Sequence, residues 1–252
     1  MSRRRLFVPA ERLAGARVTL TGDEHQHVAR VLRARPGDAL TLFDGAGHEV
    51  DGTIVTVGKH DVELTLGARR AGTVTAAPVT LTLLVAVPRG ERMELIVQKT
   101  TELGVARVVP VVTDRSVVRP DDKHRARWEK IAREAARQCG RADVPTVDAP
   151  VSLAAAVAAP DLPATRLALW EAERGRSLRA HLAGAYAADA PGRANPPTAL
   201  LVGPEGGFAA EEIEVALAAG FVAVSLGPRI LRVETAAIVA VALAQAAAGG
   251  LE

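Results

Sequence analysis

Between Arg17 and Leu66, apolar and polar residues alternate in short runs, RVTL, ALTLFD, HEVDGTIVTV and DVELTL, parted by the turn compositions PGD, DGAG and GKHD. A period of two with frequent turns predicts short strands that each bury one face, so this region reads as a small barrel or sandwich. One stretch breaks the rhythm. In DEHQHVARVLRARPGD, Val28, Val31 and Leu32 fall at helical spacing, and Pro36-Gly37 stops the helix. Residues 67–78, GARRAGTVTAAP, carry little pattern and read as a linker.

After Pro78 the strands lose their polar face. VTLTLLVAV, RVVPVV, TRLALWEA, TALLVG and FVAVSLG alternate with helical sequence, including ERMELIVQKTTELGV ending at Gly104 and a basic helix from about Lys123 to Cys139. Strands apolar on both sides, alternating with helices, predict a parallel sheet covered by helices, an α/β domain. The last helix, AAIVAVALAQAAA from about Ala236 to Ala248, is apolar almost all round. It is expected inside the domain or against a second subunit, and is too short to span a bilayer.

With 252 residues, 48% of them hydrophobic, the chain can fill two cores. Cys139 is the single cysteine, which excludes a disulfide framework within the chain and a cysteine zinc cluster, and suits a reducing cytoplasm. Neither a signal-peptide core nor a membrane-length apolar run is present, so a soluble cytoplasmic protein is expected. The net charge of +2 announces no polyanionic partner, but its distribution is uneven. Between Arg115 and Arg141 nine Lys/Arg face four Asp/Glu, and RRR occupies Arg3 to Arg5.

Open α/β sheets bind ligands at the carboxyl ends of their strands, and three loops fall there: WEAERG after Leu169, GPEGGF after Val202 and LGPRILRVETA after Ser225. The glycines of GPEGGF either make a plain turn or bring bare backbone to a ligand ahead of a helix N-terminus. No GxGxxG follows a strand, which argues against a Rossmann site. In the third loop Arg229, Arg232 and Glu234 stand directly before an apolar helix, where charges need partners or a ligand. His25 and His27 beside Asp23 and Glu24 lack a convergent fourth ligand, so no metal is expected.

GPEGGF followed about twenty residues on by LGPRILRVETA resembles the two C-terminal motifs of the SPOUT superfamily of S-adenosylmethionine-dependent RNA methyltransferases. RRRLFVP, HQHVARVLRARPGD, LFDGAG, PRGERMELIVQKTTELGV, RSV and AARQCGR, in that order, narrow the resemblance to the RsmE family, which methylates N3 of one uridine in 16S ribosomal RNA. The resemblance implies a PUA-like β-barrel at 1–72 that binds RNA. A SPOUT α/β domain at 73–252 follows, with a parallel sheet and a deep C-terminal trefoil knot, in a homodimer acting on the small ribosomal subunit. Nothing in composition or periodicity suggests a knot.

By the same resemblance, S-adenosylmethionine is expected against Leu169, Trp170, Glu171, Val202, Gly203, Pro204, Glu205, Gly206, Leu226, Gly227, Ile230, Leu231, Arg232, Thr235 and Ala236, with Ile230 and Leu231 walling the adenine. One departure is Ala209, where the family often has Ser or Thr as helix cap; Glu211 and Glu212 in the first turn compensate through the helix dipole.

Methylating uridine N3 requires loss of its proton, and charge then spreads to the carbonyl oxygens. A cation placed there stabilises the anion, which makes Arg232 the first catalytic candidate, with Glu234 to position it or accept the proton. Cys139 shares a helix face with Trp128, Ile131 and Ala135 and reads as a packed residue rather than a nucleophile. A solvated face is the default reading of the basic stripe Lys123, Arg127, Lys130, Arg137 and Arg141, but with an RNA substrate phosphate contact weighs at least as much, for Lys123, Arg127, Arg137 and Arg141 as for Arg3, Arg4, Arg5, Arg30, Arg33 and Arg115. Ribose 2'-O methylation, or an RNA-binding protein without catalysis, are the rival readings.

Overall fold

The computed structural model describes residues 4–72, 77–116, 119–186 and 194–251. Its contacts divide into two units, Met1–Ala76 with Arg133–Val144, and Ala77–Ala132 with Pro145–Glu252.

In the first unit, strands β1 (Arg5–Phe7), β2 (Arg17–Thr21), β3 (Ala39–Phe43), β4 (His48–Val57) and β5 (Asp61–Ala71) form one sheet in the order β1-β3-β4-β5-β2. Only β1 and β3 run parallel. The sheet curls into a half-barrel in which β1 and β2 are opposite edges. Alternation places residues as expected: β2 buries Val18 and Leu20 and exposes Arg17, Thr19 and Thr21.

Two local expectations are corrected. Residues 67–71 are strand rather than linker. They lack an apolar pattern because their partners are charged: Arg69 donates to Asp44 at 2.5 Å and Arg70 pairs with Glu49. The helix after β2, α1 (Gly22–Gln26), widens into a π-helical turn over His27–Val31. Each π turn takes up one extra residue, which rotates Val31 out to 68% exposure while Val28 stays buried.

Arg5 and Glu49 are buried in this unit, at 6% and 0% exposure. Arg5 pairs with Glu49 through one guanidinium nitrogen and donates to the Arg141 carbonyl at 3.0 Å through another. Removing Arg5 takes the buried cation from the Glu49 carboxylate and leaves it the more exposed Arg70, and breaking a buried pair is costly. Arg5→Ala is therefore expected to cost about 3 kcal/mol. Urea unfolding at neutral pH measures this, and a loss within about 0.5 kcal/mol, the usual range for a surface substitution, would refute the structural role.

The second unit holds a parallel sheet of seven strands: β6 (Leu81–Ala86), β7 (Arg107–Val112), β8 (Thr146–Val147), β9 (Val151–Ser152), β10 (Thr165–Leu169), β11 (Thr198–Val202) and β12 (Val222–Val224). The order is β12-β10-β11-β6-β7, with β8 and β9 both paired to the outer side of β7. Pro110, in the middle of β7, is tolerated because it falls opposite the gap between β8 and β9, where no N–H donor is needed.

Helices α2 (Arg92–Glu102), α3 (Asp122–Cys139), α4 (Leu153–Val157), α5 (Leu178–Ala185), α6 (Ala210–Ala218) and α7 (Val233–Ala247) connect the strands, and α3 from Arg133 onward belongs to the first unit. In α2 the apolar stripe is Met93, Ile96, Val97 and Thr100, all buried, and Gly104 at φ +89 closes the helix.

Helix α7 packs on α2, α5, β6 and β11. It buries Val233, Ala237, Ala240, Val241 and Ala244, while Ile238, Val239 and Leu243 stay half-buried. Since α7 starts beyond the edge strand β12 yet packs over central strands, residues 225–232 lead back across the carboxyl edge of the sheet. Among the described residues no helix is long and apolar enough to cross a membrane.

Candidate cofactor cleft and RNA-contact residues

The loops that follow β10, β11 and β12 enclose a cleft of about 250 Å³. Its walls are Leu169 to Glu171, Val202 to Gly207, Ser225 to Gly227, Arg229 to Leu231, Val233 and Ala236. The expected cofactor residues line it with two exceptions, Arg232 and Thr235. Arg232 occupies the N-cap position of α7 in extended backbone, and both side chains are exposed. Ser225, Gly207, Arg229 and Val233 are additions.

The loop after β11 is held by close approaches that only glycine permits. A Cβ on Gly203 would stand 2.8 Å from the ring of buried Phe208. Gly207 has φ +69, and a Cβ there would collide with the carboxylate of Glu171 in the neighbouring loop. The glycines therefore fit the loops to each other.

Ala209 lacks a capping oxygen, so only the Glu212 half of a capping box forms. One Glu212 oxygen accepts from the Ala209 N–H and the other from the Asp114 N–H, each at 2.9 Å, so a buried carboxylate ties the start of α6 to the loop after β7. From that same loop, Arg115 donates to the Gly206 carbonyl.

A fourth loop, after β6, completes the group. Arg92 at the start of α2 donates to Glu205 at 3.1 Å and lies 3.8 Å from Glu234, and the Arg89 N–H also donates to Glu205, at 3.2 Å. Glu234 thus faces Arg92; among the described contacts it has none with Arg232, contrary to the expected pairing. Its second oxygen is buried without a partner.

The family model described as an RNA methyltransferase domain matches residues 75–245, and the one described as an RNA methyltransferase PUA domain matches 20–67. Ribosomal RNA small subunit methyltransferase E of a Synechocystis strain is 35% identical over 94% of this chain and 76% of its own. The chain belongs to the ribosomal RNA small subunit methyltransferase E family. A crystal structure of the Neisseria gonorrhoeae family member bound to S-adenosyl methionine is 32% identical, with a TM-score of 0.83 over 97% of both chains. A Legionella pneumophila methyltransferase structure in complex with the cofactor SAM is 36% identical, with a TM-score of 0.84 over 98% of both. These matches confirm the resemblance read from the motifs.

Within that family frame, the residues expected to contact RNA separate into groups. Arg30, Arg33, Arg115 and Lys123 are exposed, and Arg33 has φ +49, an uncommon backbone state for a side-chain-bearing residue. Arg4 is half-exposed and pairs with Asp38 at 2.5 Å; Arg3 lies outside the described residues. Arg5 and Arg141 are corrected: both are 6% exposed, Arg5 held by Glu49 and Arg141 by Asp143 at 2.5 Å.

Arg127 is drawn to Glu94 at 2.8 Å and Glu91 at 3.4 Å, which offsets its charge, and Arg137 pairs with Glu134 and contacts His27. Burial, then the Arg137 guanidinium, hold the His27 imidazole below its usual pKa, so it is neutral at physiological pH. His25 is buried, with Nε2 3.2 Å from the Gly58 carbonyl.

Proposed function

We propose that this chain transfers the methyl group of S-adenosylmethionine to N3 of one uridine in 16S ribosomal RNA of the small subunit. The supporting observation is the cleft at the ends of β10, β11 and β12, in a chain that shares its fold with family members crystallised with that cofactor.

The cleft's chemistry suits the cofactor. Leu226, Ile230 and Leu231 offer apolar walls, and among the described residues their N–H groups donate to no protein acceptor, which leaves them for a nucleobase edge. Bound there, the cofactor supplies an electrophilic methyl group on a sulfonium. The protein's part is to hold the uracil and manage its proton. To Arg232, exposed at the head of α7, we assign the stabilisation of negative charge on the uracil oxygens. To Glu234, with one oxygen unpartnered and the other 3.8 Å from Arg92, we assign acceptance of the N3 proton. No covalent adduct is needed. Cys139 lies on the α3 face that buries Trp128 and Ala135, and Cys139→Ser is expected to keep full activity in a methyl-transfer assay; inactivation would contradict the mechanism.

Residues 1–72 supply RNA contacts from Arg4, Arg30 and Arg33, and the helix start from Lys123. The working form is a homodimer: Ile230 is 86% exposed, and Ile238 and Val239 are only half-covered within one chain. A trefoil knot follows from family membership, and the return of residues 225–232 across the sheet edge is compatible with one. Acting on the ribosome places the enzyme in the cytoplasm. Calorimetry with S-adenosylmethionine tests the reading at its first step, and absence of binding at millimolar cofactor favours the RNA-binding rival.

A further inference from the structure

A second cavity, of about 490 Å³, adjoins the cofactor cleft. Ser225, Leu226 and Gly227 line both, so the two hollows share a wall. Backbone bonds hold that wall in place. Leu178 N–H donates to the Ser225 carbonyl at 2.9 Å, and Ser225 N–H donates to the Arg176 carbonyl at 2.8 Å. Ser177 and Ser225 thereby form a parallel bridge that fastens the loop after β10 to the end of β12.

Arg174 and Arg179 flank this bridge, and both line the second cavity with exposed side chains. Among the described residues neither side chain has a hydrogen bond or an ion pair. The acid next to them is already engaged: Glu173 accepts from the N–H groups of Gly175 at 2.6 Å and Arg176 at 3.0 Å, which hold its carboxyl below the usual range. Arg176 turns the other way, to the Ala223 carbonyl at 3.4 Å. Among the described residues the cavity thus carries two guanidinium groups without a hydrogen bond or ion pair, with Leu178, Leu226, Pro228 and Leu243 as apolar walls.

The geometry points to a binding site for an RNA phosphodiester adjoining the nucleotide that enters the cofactor cleft, with Arg174 and Arg179 as its cationic contacts. Planar guanidinium forks match phosphate oxygens, and the apolar walls suit a ribose face. The shared wall explains why the two sites would be filled together: a nucleotide reaching the cleft carries its own backbone past Ser225 to Gly227. This assignment rests on the methyltransferase reading for its substrate.

The test compares Arg174→Ala, Arg179→Ala, the double variant and the corresponding lysine variants with the wild type. Calorimetry reads S-adenosylmethionine affinity; KM and kcat are taken on small ribosomal subunits lacking the modification; RNA affinity is followed against salt with purified 16S ribosomal RNA. Each alanine is expected to raise KM about tenfold and to make the slope of log affinity against log salt shallower by about 0.7 to 0.9. Cofactor affinity and kcat should stay within about twofold, and lysine should restore the slope, because it keeps the charge.

An unchanged KM and slope in the double variant overturns the site. Cofactor affinity falling in step with KM also overturns it, since the cavity would then serve the cofactor's carboxylate. So does dissociation of the dimer in light scattering, because a second copy would then be the occupant. A wild type that binds RNA with the arginine-dependent slope but takes up no S-adenosylmethionine would sink the methyltransferase reading and keep this site.

Discussion

Arg232→Ala is expected to lower kcat about 100-fold, the cost of removing one group aimed at developing charge, while leaving S-adenosylmethionine affinity unchanged. The separation follows from position. Arg232 stands at the N-cap of α7 with an exposed side chain and does not line the cleft, so its loss removes no wall of the cofactor site. Glu234→Gln is expected to act on the same step, and the two effects should combine less than additively if both groups serve one proton removal. Single-turnover methyl transfer with saturating cofactor makes the measurement. Wild-type rates in Arg232→Ala would remove the arginine from catalysis.

Gly207→Val is expected to weaken S-adenosylmethionine binding at least tenfold. At φ +69 a β-branched residue is strained by about 1 to 2 kcal/mol, and the new side chain also displaces Glu171, which lines the cleft. Gly203→Val should be as damaging for a different reason, because its neighbour is the ring of buried Phe208, which has nowhere to move. Gly206→Val should be milder: its Cβ meets only the exposed Arg115 side chain, Cδ at 3.3 Å and Nη1 at 3.8 Å. The ranking separates loop fitting from ligand clearance, since simple clearance predicts comparable losses at all three. Calorimetry on the three variants, with thermal unfolding as a control for folding, decides between them.

Most of the strands were legible because burial writes a period into the sequence. VTLTLLVAV and TALLVG had to lie inside a sheet, and RVTL had to bury Val18 and Leu20. Elements held by charge wrote no such period. Residues 67–71 looked featureless because Asp44 and Glu49, not apolar neighbours, hold them in β5. The two-residue strands β8 and β9 are too short for any periodic signal.

The same contrast runs through the site. GPEGGF and LGPRILRVETA were readable as ligand loops from glycine, proline and charge placed at strand ends. Arg92 was not, because a charged residue in the first turn of a helix looks solvated until Glu205 and Glu234, from loops far along the chain, are brought beside it. Arg5 and Arg141 failed in the opposite sense: read as RNA contacts from their sign alone, they are consumed by Glu49 and Asp143. Local charge sets the field, but long-range packing decides which charges face outward.

The decisive measurement is nucleoside analysis of 16S ribosomal RNA after incubating small ribosomal subunits that lack the modification with this protein and methyl-labelled S-adenosylmethionine. One labelled nucleoside, N3-methyluridine, is the predicted result. Label in a 2'-O-methyl nucleoside, or no transfer by protein that binds the RNA, would contradict it.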